Sequence, residues 1–333
     1  MNRVGLRDVA KLAGVALSSA SRVLSDHPEV SPAMRSRVLL AAEQLGYEHN
    51  SLWDGLRSGV TRTVGMVVRD ISSAHWAEIA LGAEMFLQRN GYSMLLANSR
   101  GQADLDVSQI RTFNGRQVDG LIVSPNDVSD PATLATLDRL RVPFVAIDRD
   151  LPVALGGSTV LIDHQEGATA AVAHLLELGH RSIGFVSPPA NFRPAHEVRQ
   201  ALERMCSARG ASAAVEEGQF GPADGESAAG RLLDSEDGVT ALIVGSNQMV
   251  PGVLSAVQSR RLRIPADMSL VAFEDLPLLS AFDPPISIVS RQPRLVGERS
   301  AELLLRRLED GEPEVHVVPT VYVRRHSCGA APA

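Results

Sequence analysis

LRDVAKLAGVALSSASRVL (residues 6–24) reads as two short helices broken by a glycine. Leu6, Val9, Ala10 and Ala13 recur at i, i+3, i+4 and i+7, which is one apolar helical face. Gly14 follows where the chain must turn with positive φ, a conformation glycine adopts without steric cost. The next segment turns Ala20, Val23 and Leu24 inward and leaves Leu17, Ser18, Ser21 and Arg22 on the opposite face. Two short helices around a tight Gly turn make a helix-turn-helix, whose second helix fits the major groove of DNA. Its small outer residues allow close approach to the bases. Arg22 can donate two hydrogen bonds to guanine O6 and N7, and Leu17 can touch a thymine methyl. A three-helix unit that only packs against protein would show the same pattern, so the periodicity alone leaves both readings open.

A third helix is predicted in VSPAMRSRVLLAAEQLGY (residues 30–47). Ser31 is a plausible N-cap, Pro32 suits the first helical position, and Gly46 ends the segment. Met34, Val38, Ala41, Ala42 and Leu45 make its buried face. The charge balance adds little. The chain carries a formal charge of −7, and residues 1–60 hold seven Arg/Lys against six Asp/Glu. Binding to DNA would therefore depend on a few placed cations and helix N-termini rather than on a broad basic field. At 333 residues, 44% apolar, the chain can form two or three cored domains. It shows no apolar run of membrane-spanning length and no signal-peptide pattern. Cys206 and Cys328 share no motif spacing, so neither a disulfide framework nor a metal site is expected. The expected location is the cytoplasm, with no cofactor and no membrane partner.

The stretches DVAKLAGV, SRVL, VSP and LGY, spread over nearly 50 residues, resemble at matching spacing the DNA-binding head of the lactose-repressor (LacI/GalR) family of bacterial transcription regulators. The resemblance implies that Leu17, Ser18 and Arg22 read bases, that Leu6, Ser21, Asn50 and Arg57 also belong to the DNA face, and that a homodimer reads a two-fold related, palindromic operator in double-stranded DNA. Two positions depart from the family. Ala16 and Gly5 stand where Ser or Thr caps are usual, and losing such a cap typically costs about 1 kcal/mol. The segment EHNSLWDGLRSG (residues 48–59) resembles the family's linker, which folds into a short hinge helix on DNA. There Leu56 matches the residue that wedges into the minor groove, and Leu52 the one packing on the partner's hinge; such wedges exchange unstacking cost for a bent duplex with more contact. Trp53, Asp54 and Gly55 depart from the family's small and basic residues, and Gly55 costs about 1 kcal/mol relative to Ala within a helix. This hinge is expected to fold less readily than most.

From Thr63 the pattern changes. Strand-length apolar runs occur at Val64–Val68, Met94–Ala97, Leu121–Val123, Phe144–Ile147, Val160–Ile162, Ile183–Val186, Ala241–Val244 and Leu270–Phe273, mostly separated by helical segments. Such alternation predicts doubly wound parallel sheets with ligands at the carboxyl ends of strands. Eight or more strands predict two subdomains and a cleft. VDGLIVSP (118–125), VPFVAIDRD (142–150), LLELGHRSIGF (175–185), IPADMSLVAFED (264–275) and PPISIVSRQPRLVGERSAELLLRRL (284–308) also resemble the family's effector domain, which is similar to the periplasmic (type I) sugar-binding proteins. The expected architecture is thus a small all-α helix-turn-helix head (1–47), a hinge (48–61) and an α/β two-subdomain effector and dimerisation domain (62–333). The implied subdomains are discontinuous, about 62–160 with 290–320 and 161–289 with 321–330. The chain ends soon after Arg325 with no heptad tail, so a dimer is expected.

For the effector pocket, Asp148 matches a cleft-facing position and Glu274 stands where the family usually has a ligand-binding Asp. His75 and Trp76 stand where two aromatics are typical. Ser246, with Asn247 beside it, replaces the family's cleft Asn. In the family's R-x-x-G motif on a helix beginning near residue 197, Val198 falls at the Arg, with Arg199 one step off. The bland alternative for each carboxylate is a loop acid that caps a helix or, for Asp148, pairs with Arg149. These departures make an ordinary pyranose less expected than a smaller or differently charged metabolite, and leave an atrophied pocket open. Two other classes compete: a solute-binding module whose head does not read DNA, and an enzyme. For the enzyme there is no G-x-S-x-G, P-loop, H-E-x-x-H or Cys-His pairing. His164, His174 and His180 read as surface or capping residues.

Overall fold

The computed structural model describes residues 4–24, 27, 29–47, 60–235 and 238–332. It divides into two compact units, Met1–Arg62 and Thr63–Ala333. The hinge residues Asn50, Leu52, Leu56 and Arg57 lie outside the described residues, as do Trp53, Asp54 and Gly55.

Among the described residues the first unit has three helices, α1 (Leu6–Ala13), α2 (Leu17–Leu24) and α3 (Pro32–Gln44). Val9, Ala10, Ala13, Ala20, Val23, Val38, Ala41 and Ala42 are buried together, with Leu6, Val15, Met34 and Leu45 packed around them. Small side chains at these positions let three short helices close on one another. Gly14 ends α1 in the left-handed region at φ 62°. Ser31 caps α3 by accepting a hydrogen bond from the Met34 N–H at 3.4 Å, with Pro32 in the first turn. Gly5 cannot cap α1 with a side chain. Instead Asp8 reaches back and accepts the Gly5 N–H at 2.9 Å, which is half of a capping box.

The second unit continues as β1 (Thr63–Val68), α4 (Ala74–Arg89), β2 (Ser93–Asn98), α5 (Ala103–Gly115), β3 (Gly120–Val123), α6 (Pro131–Asp138), β4 (Phe144–Ile147) and β5 (Ser158–Asp163). It goes on through α7 (His164–Glu177), β6 (Ser182–Ser187), α8 (Arg193–Ala208), β7 (Ser212–Glu217), α9 (Pro222–Leu233), β8 (Ala241–Val244), α10 (Val250–Ser259), β9 (Ser269–Phe273) and α11 (Pro277–Ala281). It closes with β10 (Ser287–Ser290), α12 (Pro293–Leu308), β11 (Val315–Pro319) and β12 (Val321–Val323). Two six-stranded sheets result, ordered β11-β5-β4-β3-β1-β2 and β12-β10-β9-β8-β6-β7. All pairs are parallel except β10 with β12. The two orders are the same, so the unit is two copies of one doubly wound plan. The chain passes from the first sheet to the second after β5, returns through α12 to β11, and crosses again into β12.

The central strands are buried over almost their whole length (β3, β4, β8 and β9 entirely), as both faces carry helices. Four strands are absent from the apolar runs of the sequence: β7, β10, β11 and β12. Three of them are edge strands. An edge strand is half solvated and need not be apolar, which is why SAAVEE in β7 carries little signal.

Two helix pairs hold the layers by backbone contact. A Cβ on Gly82 of α4 would lie 2.1 Å from the Arg294 carbonyl, and one on Gly297 of α12 would lie 1.9 Å from that of Ile79. The second lobe repeats the device, with Gly225 of α9 against Met249 and Gly252 of α10 against Pro222. Among the described residues no helix is long and apolar enough to cross a membrane.

Candidate functional site

In α2 the core side is Ala20 and Val23, and the solvent side carries Leu17, Ser18 and Arg22 in the open with Ser21 half-buried at the edge. The helical period of about 100° per residue puts 17, 18, 21 and 22 on one face once 20 and 23 point inward. A leucine left exposed at the start of a helix suits contact with something outside the unit. Leu6 opens α1 but packs half-buried on the small core, so its apolar side serves the fold.

The other site is the cleft between the two sheets of the second unit. Carboxyl ends of β4 and β9, equivalent strands of the two lobes, each deliver an acid. Asp148 follows β4 at φ 51° and Glu274 follows β9 at φ 75°. Both are left-handed, a conformation that non-glycine residues keep only where their surroundings hold them. Each is buried and each takes a histidine. His164 Nε2 meets Asp148 Oδ2 at 2.9 Å, and His75 Nδ1 meets Glu274 Oε2 at 2.6 Å.

Asp148 also accepts from Arg193 Nη1 at 2.9 Å, while Arg193 pairs with Asp150 at 3.3 Å and with Glu197 at 2.6 Å. Burial works against the Asp148 charge, but His164, Arg149 and Arg193 outweigh it and hold the carboxyl far below its ordinary value. Glu274 behaves likewise. Burial opposes its ionisation, and the His75 hydrogen bond with the Arg291 charge brings it below the usual value. Gln248 spans the cleft to Asp70 at 3.0 Å. The Arg69 guanidinium lies 3.8 Å from the Phe220 ring centre and 5.0 Å from that of Phe192. The lobes are therefore bridged by their own side chains. What is left between them is a chamber of about 60 Å³ lined by Arg69, His75, Trp76, Asp148, Arg149 and Arg291 among others. Ligand pockets usually measure about 300–1,000 Å³, so this inner chamber admits a full metabolite only when the bridges part. A wider hollow of about 490 Å³ opens beside it and shares Arg149, Phe192 and Arg193 with the cleft walls.

The sequence of residues 5–50 matches the model of the lacI family of bacterial regulatory proteins, and residues 172–328 match a periplasmic binding protein-like domain. The catabolite control protein A of Priestia megaterium is 30% identical over 307 residues, spanning 91% of this chain and 92% of that protein. The chain belongs to the lacI family. The HTH-type transcriptional repressor PurR of Aliivibrio salmonicida is 28% identical over 326 residues, covering 96% of this chain and 98% of its own. The fold of this lacI-family regulator is shared with the lac repressor dimer solved with operator and the anti-inducer ONPF, at TM-score 0.88 and 23% identity, covering 99% of this chain and 100% of that one. As a member of this family it is a transcription regulator and not an enzyme.

Of the cleft residues expected from the sequence, His75, Trp76 and Asp148 line the chamber, and Glu274 reaches it through His75. Ser246 and Asn247 are buried just beyond, where Gly245 rather than either side chain forms the wall. Arg199 is not in the cleft. It sits exposed on the outer face of α8, paired with Glu203 at 2.7 Å. The helix starts at Arg193, and six residues turn a side chain about 240° around the axis, away from the cleft. Arg193 itself was not legible as a cleft-facing residue, although NFRP, with proline in the first helical turn, marks the helix start that aims it. Arg69, Arg291, Phe192 and Phe220 were also missed. Arg149 does not pair with Asp148 through its carboxylate; it donates to the main-chain oxygens of Pro125 and Asp148. His164 and His180 are fully buried rather than superficial, His180 between Thr240 and Ser269 at 2.8 Å each. Among the described residues no cluster of three or more His, Cys, Asp or Glu could hold a metal ion.

Proposed function

We propose that the protein is a homodimeric repressor that binds a palindromic operator through α2 and releases or tightens on it when a small polar metabolite enters the cleft. The observation that carries the proposal is the outward face of α2, where Leu17, Ser18 and Arg22 are exposed on a helix whose other side is core. In this reading residues 1–47 are the reading head and 48–61 the hinge. Asn50 and Arg57 touch DNA, Leu52 packs on the partner hinge, and Leu56 enters the minor groove. Residues 62–333 bind the effector and the second subunit. Self-association is supported by exposed apolar side chains on an edge strand and its neighbouring helix, Leu95 and Leu96 of β2 and Leu81 and Met85 of α4. The relative in fold solved on operator is itself a dimer.

The cleft supplies the control. Every bridge across it joins residues of different lobes, so a ligand that changes their spacing moves both lobes as bodies. Such a ligand acts by binding one lobe arrangement better than the other. Coupling of this kind is usually about 1–3 kcal/mol.

The test is a gel shift on the DNA upstream of the protein's own gene, with and without candidate metabolites. Operator-length DNA should bind with an affinity that falls steeply with salt. Equal affinity for that fragment and for scrambled DNA of the same length would remove the reading and favour a solute-binding module.

A further inference from the structure

We propose that the cleft takes an anionic metabolite, whose charged end, a compact carboxylate or phosphoryl group, sits among Arg69, Arg149 and Arg291. This rests on the cleft being the effector site and narrows the chemistry of the effector. Three guanidinium groups line the inner chamber against one carboxylate, Asp148. That carboxylate is already engaged: one oxygen accepts from Arg193 and the Ile162 N–H, the other faces His164. Glu274 is engaged by His75, and Asp150 and Glu197 by Arg193.

None of the three arginines has an ion-pair partner within 4.0 Å among the described residues. Their hydrogen bonds go to neutral oxygens: Asn126 Oδ1 for Arg69, the Pro125 and Asp148 carbonyls for Arg149, and the Gly245 carbonyl for Arg291. Arg291 Nε is buried with no hydrogen-bond partner among the described residues. The contrast with the surface is plain. Arg231, Arg260, Arg263 and Arg294, all more exposed, each have a carboxylate of their own. Acid partners are thus present on exposed arginines and missing from Arg149 and Arg291, which are buried, and from Arg69, which is half-buried. The nearby acids, Asp148 and Glu274 among them, act on these guanidinium groups only through space, and a buried cation with no direct ion pair is costly. Burial pushes the pKa of all three below the ordinary arginine value. An anion entering the chamber relieves that cost, and the planar fork of arginine matches carboxylate and phosphate oxygens bidentately.

The size agrees. The chamber of about 60 Å³ holds one or two groups of water size, enough for a charged end but not for a sugar ring. The hollow of about 490 Å³ beside it shares Arg149 and Phe192 and offers polar side chains such as Ser129, Asn191 and His196 to an uncharged body.

The experiment is calorimetric titration and thermal shift of the full-length protein with inorganic phosphate, glucose 6-phosphate, gluconate and glucose, at ionic strength matched with sodium chloride. The anions should bind and raise the melting temperature, and glucose should not. Arg69→Gln and Arg291→Gln should each weaken anion binding by about tenfold or more, while Arg199→Gln leaves it unchanged. Arg69→Lys keeps a charge without the fork and should fall between; it guards against loss of fold in the other variants. Glucose binding that equals or exceeds that of its phosphate overturns the proposal and leaves the effector site standing. So does anion binding that is undiminished in both Arg69→Gln and Arg69→Lys. No response to either class in calorimetry, thermal shift or operator affinity would overturn the effector-site reading along with it.

Discussion

Asp148 and Glu274 stand at matching strand ends, in the same left-handed backbone region, and each takes a histidine from the opposite lobe. Holding non-glycine residues there costs about 1–3 kcal/mol each, which the surrounding ion pairs offset. In the proposed reading, Arg22 is a base-contacting side chain of α2. Replacing it by alanine is expected to cost about 1–3 kcal/mol on the cognate operator and to relax one base position. Fluorescence anisotropy on an operator and its point variants checks this, and identical profiles for both proteins would contradict it. His180 and His174 make a second prediction. Burial lowers both imidazole pKa values in the folded chain. The unfolded chain then binds protons more readily, so stability is full above the unfolded value of about 6.5 and is lost as pH falls through the folded values. The melting temperature should drop on acidification from pH about 7.5 to about 5.5, and His180→Gln should flatten that slope. A slope unchanged in the variant would mean that His180 titrates normally.

At the level of elements, the glycine contacts matter most. In α4 against α12, and in α9 against α10, two helices approach until the Cα of one meets a carbonyl of the other. Neither carbonyl can move freely, because each belongs to its own helical ladder. Gly297→Ala is therefore expected to destabilise the second unit by about 1–3 kcal/mol through overpacking, measured by urea unfolding. An unchanged midpoint would show that α12 can slide. Gly311 and other loop glycines do not join helix to helix in this way. In the head, caps behave differently from expectation at one point. Gly5 looked like a missing cap, but Asp8 meets the orphan N–H from inside the helix. At the start of α2 the Ala16 carbonyl accepts the Ser19 and Ala20 N–H groups and so opens the helical ladder, a role that needs no side chain.

For the whole molecule, the closed cleft is a set of side-chain bridges that can be opened one at a time. His75–Glu274 joins residues 199 apart in sequence, and Gln248–Asp70 joins residues 178 apart. Glu274→Ala leaves His75 without its partner and should shift the effector unit toward an open arrangement. A larger radius of gyration by solution scattering is the expected readout; a profile superimposable on that of the wild type would show that the remaining bridges suffice. The same variant should alter operator affinity if lobe closure and DNA binding are coupled, by roughly the 1–3 kcal/mol usual for such coupling.

The head and the α/β class were legible in the sequence because both are written locally. Apolar spacing at i, i+3, i+4, the left-handed turn at Gly14 and the Ser31–Pro32 start act over a few residues, and a buried parallel strand must be apolar on both faces. The edge strands were not legible, because half their surface meets water and their pairing comes from distant segments. Nor were the cleft arginines. Arg193 and Arg199 are alike in sequence, and only the residue at which α8 begins decides which of them faces Asp148, since each step along a helix turns a side chain by about 100°. The His75–Glu274 and Gln248–Asp70 contacts between the lobes unite residues more than a hundred positions apart, so their partners exist only once both sheets have formed.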